Sequence, residues 1–146
     1  ENVTSNAERR ALVAGESVAV PRVLDVYAGL PSITGKLELE YEGELKGGDA
    51  VARELIRLAV GKIFNTYFEG ENLNNVVKWF EVGGTIKLDE GVTSAQMVQQ
   101  LSGIQGLMEK TKQLGLGASE PDAVRAGAGE FILEGLYAHK RIRRNE

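Results

Sequence analysis

Cysteine is absent from this chain of 146 residues. That excludes disulfides, thiolate metal sites and cysteine nucleophiles. There is one histidine, His139, and it stands among Lys140, Arg141, Arg143 and Arg144. With no cysteine and no second histidine, a zinc site has too few ligands. A Ser–His–Asp triad would need His139 as its base, and no G-x-S-x-G stretch accompanies it. No apolar run is long enough to span a bilayer, and no signal peptide precedes the chain. The net charge of −4 gives no overall pull toward nucleic acid or an anionic membrane. These absences predict no catalytic, cofactor-binding or metal-ligating residue in the chain, and a cytoplasmic protein is the expectation they fit.

What is present describes a globular helical chain. Apolar residues make up 42% and charged residues 26%, the balance of an ordinary folded domain. The chain opens directly into an amphipathic pattern, with Val3, Ala7, Arg10, Ala11 and Ala14 on one face and Gly15 as a C-terminal stop. A chain that begins inside a helix reads as part of something longer. Ser17 and Pro21 suit the start of a short helix that Gly29 ends. The strongest helical pattern covers 50–68. Ala52, Ile56, Ala59, Ile63 and Tyr67 form a stripe that Val51, Leu55 and Leu58 widen, which predicts a helix in the middle of the core. Asn72 caps a helix over 73–81 with Leu73, Val76, Val77 and Phe80 inward, and Gly83 and Gly84 break it. Thr93 and Gln96 make a capping box for a helix over 94–102. A helix over 107–115 follows, then a last one over 120–143. Gly127, Gly129 and Gly135 in that last helix lower its propensity and let a neighbouring helix approach closely. Residues 37–41 alternate apolar and acidic, and 85–88 is a second extended candidate to pair with them. The expectation is a mainly α fold of about five to six helices with at most a minor two-stranded β element.

Three stretches invite a functional reading. "GLPSITGKLE" (29–38) looks like a phosphate loop. Its glycines, Gly29 and Gly35, are one residue too far apart, and Lys36 is followed by Leu37, which has no hydroxyl for Mg²⁺. A turn led by Pro31 fits better. Glu38, Glu40, Glu42 and Glu44 project to one side of an extended segment, but ligands strung along a strand diverge, so a solvated face guarding a sheet edge is the reading. Residues 139–144 form the one basic cluster, without the aromatics that stack on bases. The solvated end of a helix is expected there rather than a nucleic-acid site. Trp79 beside Phe80 is expected to pack in the core.

Taken together, "NAERRALVAGE", "VPRVLDVYAGLPSITGKLELEYEGE", "AVARELIRLAVGKIFNTYF" and "GEFILEGLYAHKR" resemble, in order and spacing, the C-terminal part of AAA+ ATPases related to the magnesium chelatase I subunit, close to the MoxR-type group. The resemblance runs along nearly the whole chain. It implies that 1–30 ends the helical lid of the AAA+ module, that 31–48 is a junction, and that 49–146 is a helical C-terminal domain. ATP and Mg²⁺ would belong to the parent protein, whose nucleotide motifs would precede residue 1. The chain itself would be non-catalytic, serving ring assembly or partner contact. Other ring subunits and a partner protein would be what it touches, with no membrane and no nucleic acid. A free-standing helical interaction module is the alternative.

Overall fold

The computed structural model describes residues 1–30, 48–88, 91–117 and 119–144, with the side chains of 48 and 49 outside the description. The Pro31 turn, Gly35, Lys36, the four alternating glutamates and the 37–41 strand lie outside the described residues. Those described hold seven α-helices and no strand. They are α1 (Asn2–Ala14), α2 (Val23–Ala28), α3 (Gly48–Phe68), α4 (Asn74–Glu81), α5 (Ser94–Ser102), α6 (Leu107–Lys110) and α7 (Asp122–Ala138), with a 3₁₀ turn over Thr111–Leu114. The fold is mainly α, as the periodicities predict. Residues 85–88 are irregular. No described helix is long and apolar enough to cross a membrane.

The last helix is the axis of the fold. Helix α7 is buried on nearly every side, from Ala123 through Ile132 to Leu136, and packs most extensively against α3 and α5. Two glycines make that closeness possible. A Cβ on Gly135 would stand 2.8 Å from the Cβ of Phe64 on α3, and one on Gly129 would stand 2.7 Å from Leu101 Cδ1 on α5. Phe64 and Phe68 stack with ring centroids 4.8 Å apart beside α7, and Met97, Leu101, Ile104 and Leu107 complete the centre. Trp79 packs against this core, lying over Gly84 at a distance that leaves no room for a side chain there.

The face that α3 turns inward is not the one its stripe suggests. Ala52, Gly61, Phe64 and Phe68 are buried, while Leu55 (56%), Leu58 (56%), Ile63 (52%) and Tyr67 (47%) are exposed. The reason is steric. Gly61 meets Ala138, and the Phe64 ring occupies the space above Gly135, so the small residues select the contact and the larger aliphatic stripe is left outside.

Helix ends follow local chemistry. Gly15 takes φ +71°, and Glu16 N–H donates to the Ala11 carbonyl at 2.9 Å, closing α1. Helix α2 begins at Val23, after Pro21 rather than with it. The Asp25 carboxylate accepts the Arg22 N–H at 2.7 Å and starts the helix there. Thr93 and Gln96 form the expected capping box on α5. The last helix stops at Ala138, five residues short of the expected 143. Lys140 adopts φ 60°, its N–H donates to Tyr137 O and that of Arg141 to Leu136 O, both at 2.9 Å. This is the double bond of a Schellman end, made with lysine where glycine is usual.

Candidate functional site

Two adjoining features concentrate polar chemistry. The first is a buried ionic knot that joins the N-terminal helices to α7. Asp25, fully buried, accepts from Asn6 Nδ2 (2.7 Å), from an Arg10 guanidinium NH2 group (2.8 Å) and from the Arg22 backbone (2.7 Å). The same Arg10 group also donates to the Val20 carbonyl at 3.0 Å. Arg22 runs under α2 to the sulfur of Met97 and to Glu130 on α7, with Arg22 Nε 3.3 Å from Glu130 Oε2. Glu130 Oε1 accepts the Leu24 N–H at 3.0 Å, fixing the first turn of α2 on α7. Nearby, both Glu16 carboxylate oxygens take up the Ser94 N–H (2.7 Å) and hydroxyl (2.9 Å). This carboxylate sits at the positive end of α5, where a negative charge is favoured.

The electrostatics of the knot are unequal. Burial alone would raise the pKa of Asp25. Hydrogen bonds from Arg10, from the Arg22 backbone and from Asn6 outweigh it, and the carboxyl lies below its ordinary range. For Glu130 desolvation prevails over the attraction of Arg22 and the Leu24 N–H, and its pKa is raised. Desolvation likewise lowers the pKa of Arg22 against the pull of Glu130. The contact between Arg22 and Glu130 is an ion pair without hydrogen-bond geometry. Within the chain, Arg22 Nε, one Arg22 NH2 group and Glu130 Oε2 have no hydrogen-bond partner.

The second feature is an open cavity of about 870 Å³ on the far side of Glu130. Helix α2 contributes Leu24 and Tyr27, α3 contributes Arg53, and α7 contributes Glu130, Leu133, Glu134 and Tyr137. Residues 84–88 and 142–144 supply the remaining wall. Arg144 pairs with Glu134 and lies over two rings, 5.5 Å from the Tyr27 centroid and 4.8 Å from that of Tyr137. Arg53 lies over Tyr27 at 5.6 Å. Burial pushes the Tyr27 phenol up, against the opposing charge of Arg144, so it stays neutral.

The basic stretch 139–144 therefore does not continue a solvated helix. It turns at Lys140, sends Ile142 into the core margin and brings Arg143 and Arg144 to the cavity. Its other members are tied locally. Arg141 donates to Asn74 Oδ1 at 3.0 Å, and His139 Nε2 lies 3.1 Å from the Gly61 carbonyl. His139 also sits against the ring of Phe64, 5.7 Å between centroids, which makes it a packing residue at the end of α7. Among the described residues no three His, Asp or Glu side chains gather as a metal site. Sequence reading missed the knot and the cavity alike. Arg10 was placed on the inner face of α1, but nothing in the spacing of Arg22, Asp25 and Glu130 announces that they meet. No protein-family model, characterised protein or solved structure matches this chain.

Proposed function

We propose that this chain is a non-catalytic helical part of a chelatase-like AAA+ ATPase: the end of the lid in residues 1–30, then the C-terminal domain. Its task is ring assembly or contact with a partner protein in the cytoplasm. ATP and Mg²⁺ belong to the preceding module. One observation supports an assembly role above the others, the outer face of α3. Leu55, Leu58 and Ile63 are each more than half exposed on the longest helix of the fold. A contiguous apolar face of this kind marks a surface that another protein covers. The order and spacing of the sequence blocks quoted above supply the family reading.

The test begins with the native polypeptide. An antibody raised to this chain, applied to an extract of the source organism, should mark a protein several times larger than 15.8 kDa. That protein should hydrolyse ATP and assemble into rings, and Leu55→Glu with Ile63→Glu should break up the rings. A band at the chain's own size, or stoichiometric ATP binding by the isolated chain, overturns the reading. The ionic knot favours a second reading, a free-standing helical interaction module. It ties residues 1–30 to α7, as an autonomous fold requires.

A further inference from the structure

We propose that the cavity between α2, α3, α7 and residues 142–144 binds a small organic anion with an apolar body. This inference does not depend on the family reading. The volume, about 870 Å³, lies within the range of small-molecule sites, which are mostly apolar with a few placed polar groups. Leu24, Phe80, Leu88 and Leu133 supply the apolar wall. Four cationic side chains line the cavity against two carboxylates, in a chain whose net charge is −4. Both carboxylates are already engaged, Glu130 by Arg22 and the Leu24 N–H and Glu134 by Arg144. Arg53, Lys87 and Arg143, on three different segments, then set the sign of the field inside. Walls of one sign and low dielectric concentrate ligands of the other. An arginine adds a planar fork that matches carboxylate, sulfonate or phosphate. A ligand with both parts meets both sets of groups, and an inorganic anion or a neutral hydrocarbon meets only one.

The probes are 8-anilinonaphthalene-1-sulfonate and its uncharged relative N-phenyl-1-naphthylamine, titrated into the chain and followed by fluorescence. The sulfonate should bind with a stoichiometry of one, and at least about tenfold more tightly than the neutral dye, the effect of one charge-assisted hydrogen bond. Arg53→Gln with Arg143→Gln, both on exposed side chains, should weaken the sulfonate about tenfold or more and leave the neutral dye unchanged. Far-UV circular dichroism should show the same helix content in both proteins. Leu55→Gln with Ile63→Gln, on the outer face of α3, should leave sulfonate binding intact. Decanoate should displace the sulfonate, and phosphatidylglycerol vesicles should not sediment the chain. Equal binding of the two dyes overturns the proposal. So does loss of binding in the α3 variant alone, and so does retention of full affinity in the arginine variant. Sedimentation with vesicles, without displacement by decanoate, assigns the cations to a membrane surface and overturns it as well.

Discussion

Two glycines on α7 should respond to alanine with opposite signs. In a helix interior, alanine is favoured over glycine by about 1 kcal/mol, so propensity alone predicts that both substitutions stabilise. At Gly127 nothing opposes that gain. A Cβ there would have Val20 Cγ1 at 3.6 Å and Arg22 Cγ at 3.7 Å, ordinary contact distances. Gly127→Ala should stabilise by about 0.5–1 kcal/mol. At Gly135 the new Cβ would be 2.8 Å from the Cβ of Phe64, and closer still to the ring. The ring could turn, but the Cβ of Phe64 is attached to the α3 backbone and cannot swing aside. Relief requires α3 to move off α7, and Phe64 is central to that contact. Overpacking of this kind costs about 1–3 kcal/mol or more, which exceeds the propensity gain. Gly135→Ala should therefore be net destabilising by about 1–2 kcal/mol. For a chain of this size that is roughly a 3–8 °C fall in Tm, against a rise of about 1–4 °C for Gly127→Ala. Thermal unfolding followed by circular dichroism at 222 nm, with urea titrations on both variants, resolves the two. A stabilised Gly135→Ala protein would refute the close approach of α3 and α7, and with it the account of why the aliphatic stripe of α3 lies outside.

The knot and the helix ends yield further tests. Asp25→Asn leaves Arg10 buried without its counter-charge and should cost about 3 kcal/mol near neutral pH. The folded carboxyl lies below its unfolded value of 3.8. Its contribution is therefore present above about pH 4 and lost as pH falls through the folded pKa. In urea titrations from pH 7 to pH 3 the gap between wild type and variant should hold to about pH 4 and then close, and a gap constant to pH 3 argues against the assignment. Glu130→Leu alone strands the Arg22 charge and should cost about 3–5 kcal/mol, whereas Glu130→Leu with Arg22→Met removes both charges and should cost less than the single change. Additive losses in that cycle would show that the pair is not coupled. Lys140→Gly relieves a left-handed lysine at φ 60° and should stabilise by about 0.5–1 kcal/mol. A loss of stability would mean that the lysine side chain contributes more than its backbone conformation costs.

The contrast between Gly15 and Lys140 shows where sequence is informative. Both residues end a helix in the left-handed conformation. Glycine at 15 announces the stop and α1 is bounded to the residue. Lysine at 140 belongs to a basic run that suits a helix C-terminus, so the pattern continues to 143 on paper. Capping chemistry between near neighbours was equally legible. Thr93 with Gln96 and the inward set of α4 stand where the pattern puts them. What failed depends on partners distant in sequence. The stripe of α3 obeys helical spacing on more than one face, and the choice between faces is made by Gly135 and Ala138, about 75 residues away. The same holds for the knot. Glu130 reads as one more charged residue in "GEFILEGL" until α2 delivers the Leu24 N–H and the Arg22 guanidinium to it.

That delivery also explains why a polar joint, rather than an apolar one, serves here. Apolar contacts tolerate sliding, whereas a hydrogen bond fixes direction as well as distance. Helix α2 is six residues long and could not hold its own orientation. Glu130 holds its first turn at Leu24, Asp25 binds it to α1 through Asn6 and Arg10, and Arg22 reaches beneath it to Met97. Leu24 and Tyr27 are the residues by which α2 walls the cavity, and Glu130 lies in the knot and in the cavity wall at once. The width of the cavity on this side is thus set by the ion pair behind it. A change at Arg22, which does not line the cavity, should reach a ligand there through the position of α2, whereas a change at Arg53 should act on the ligand directly.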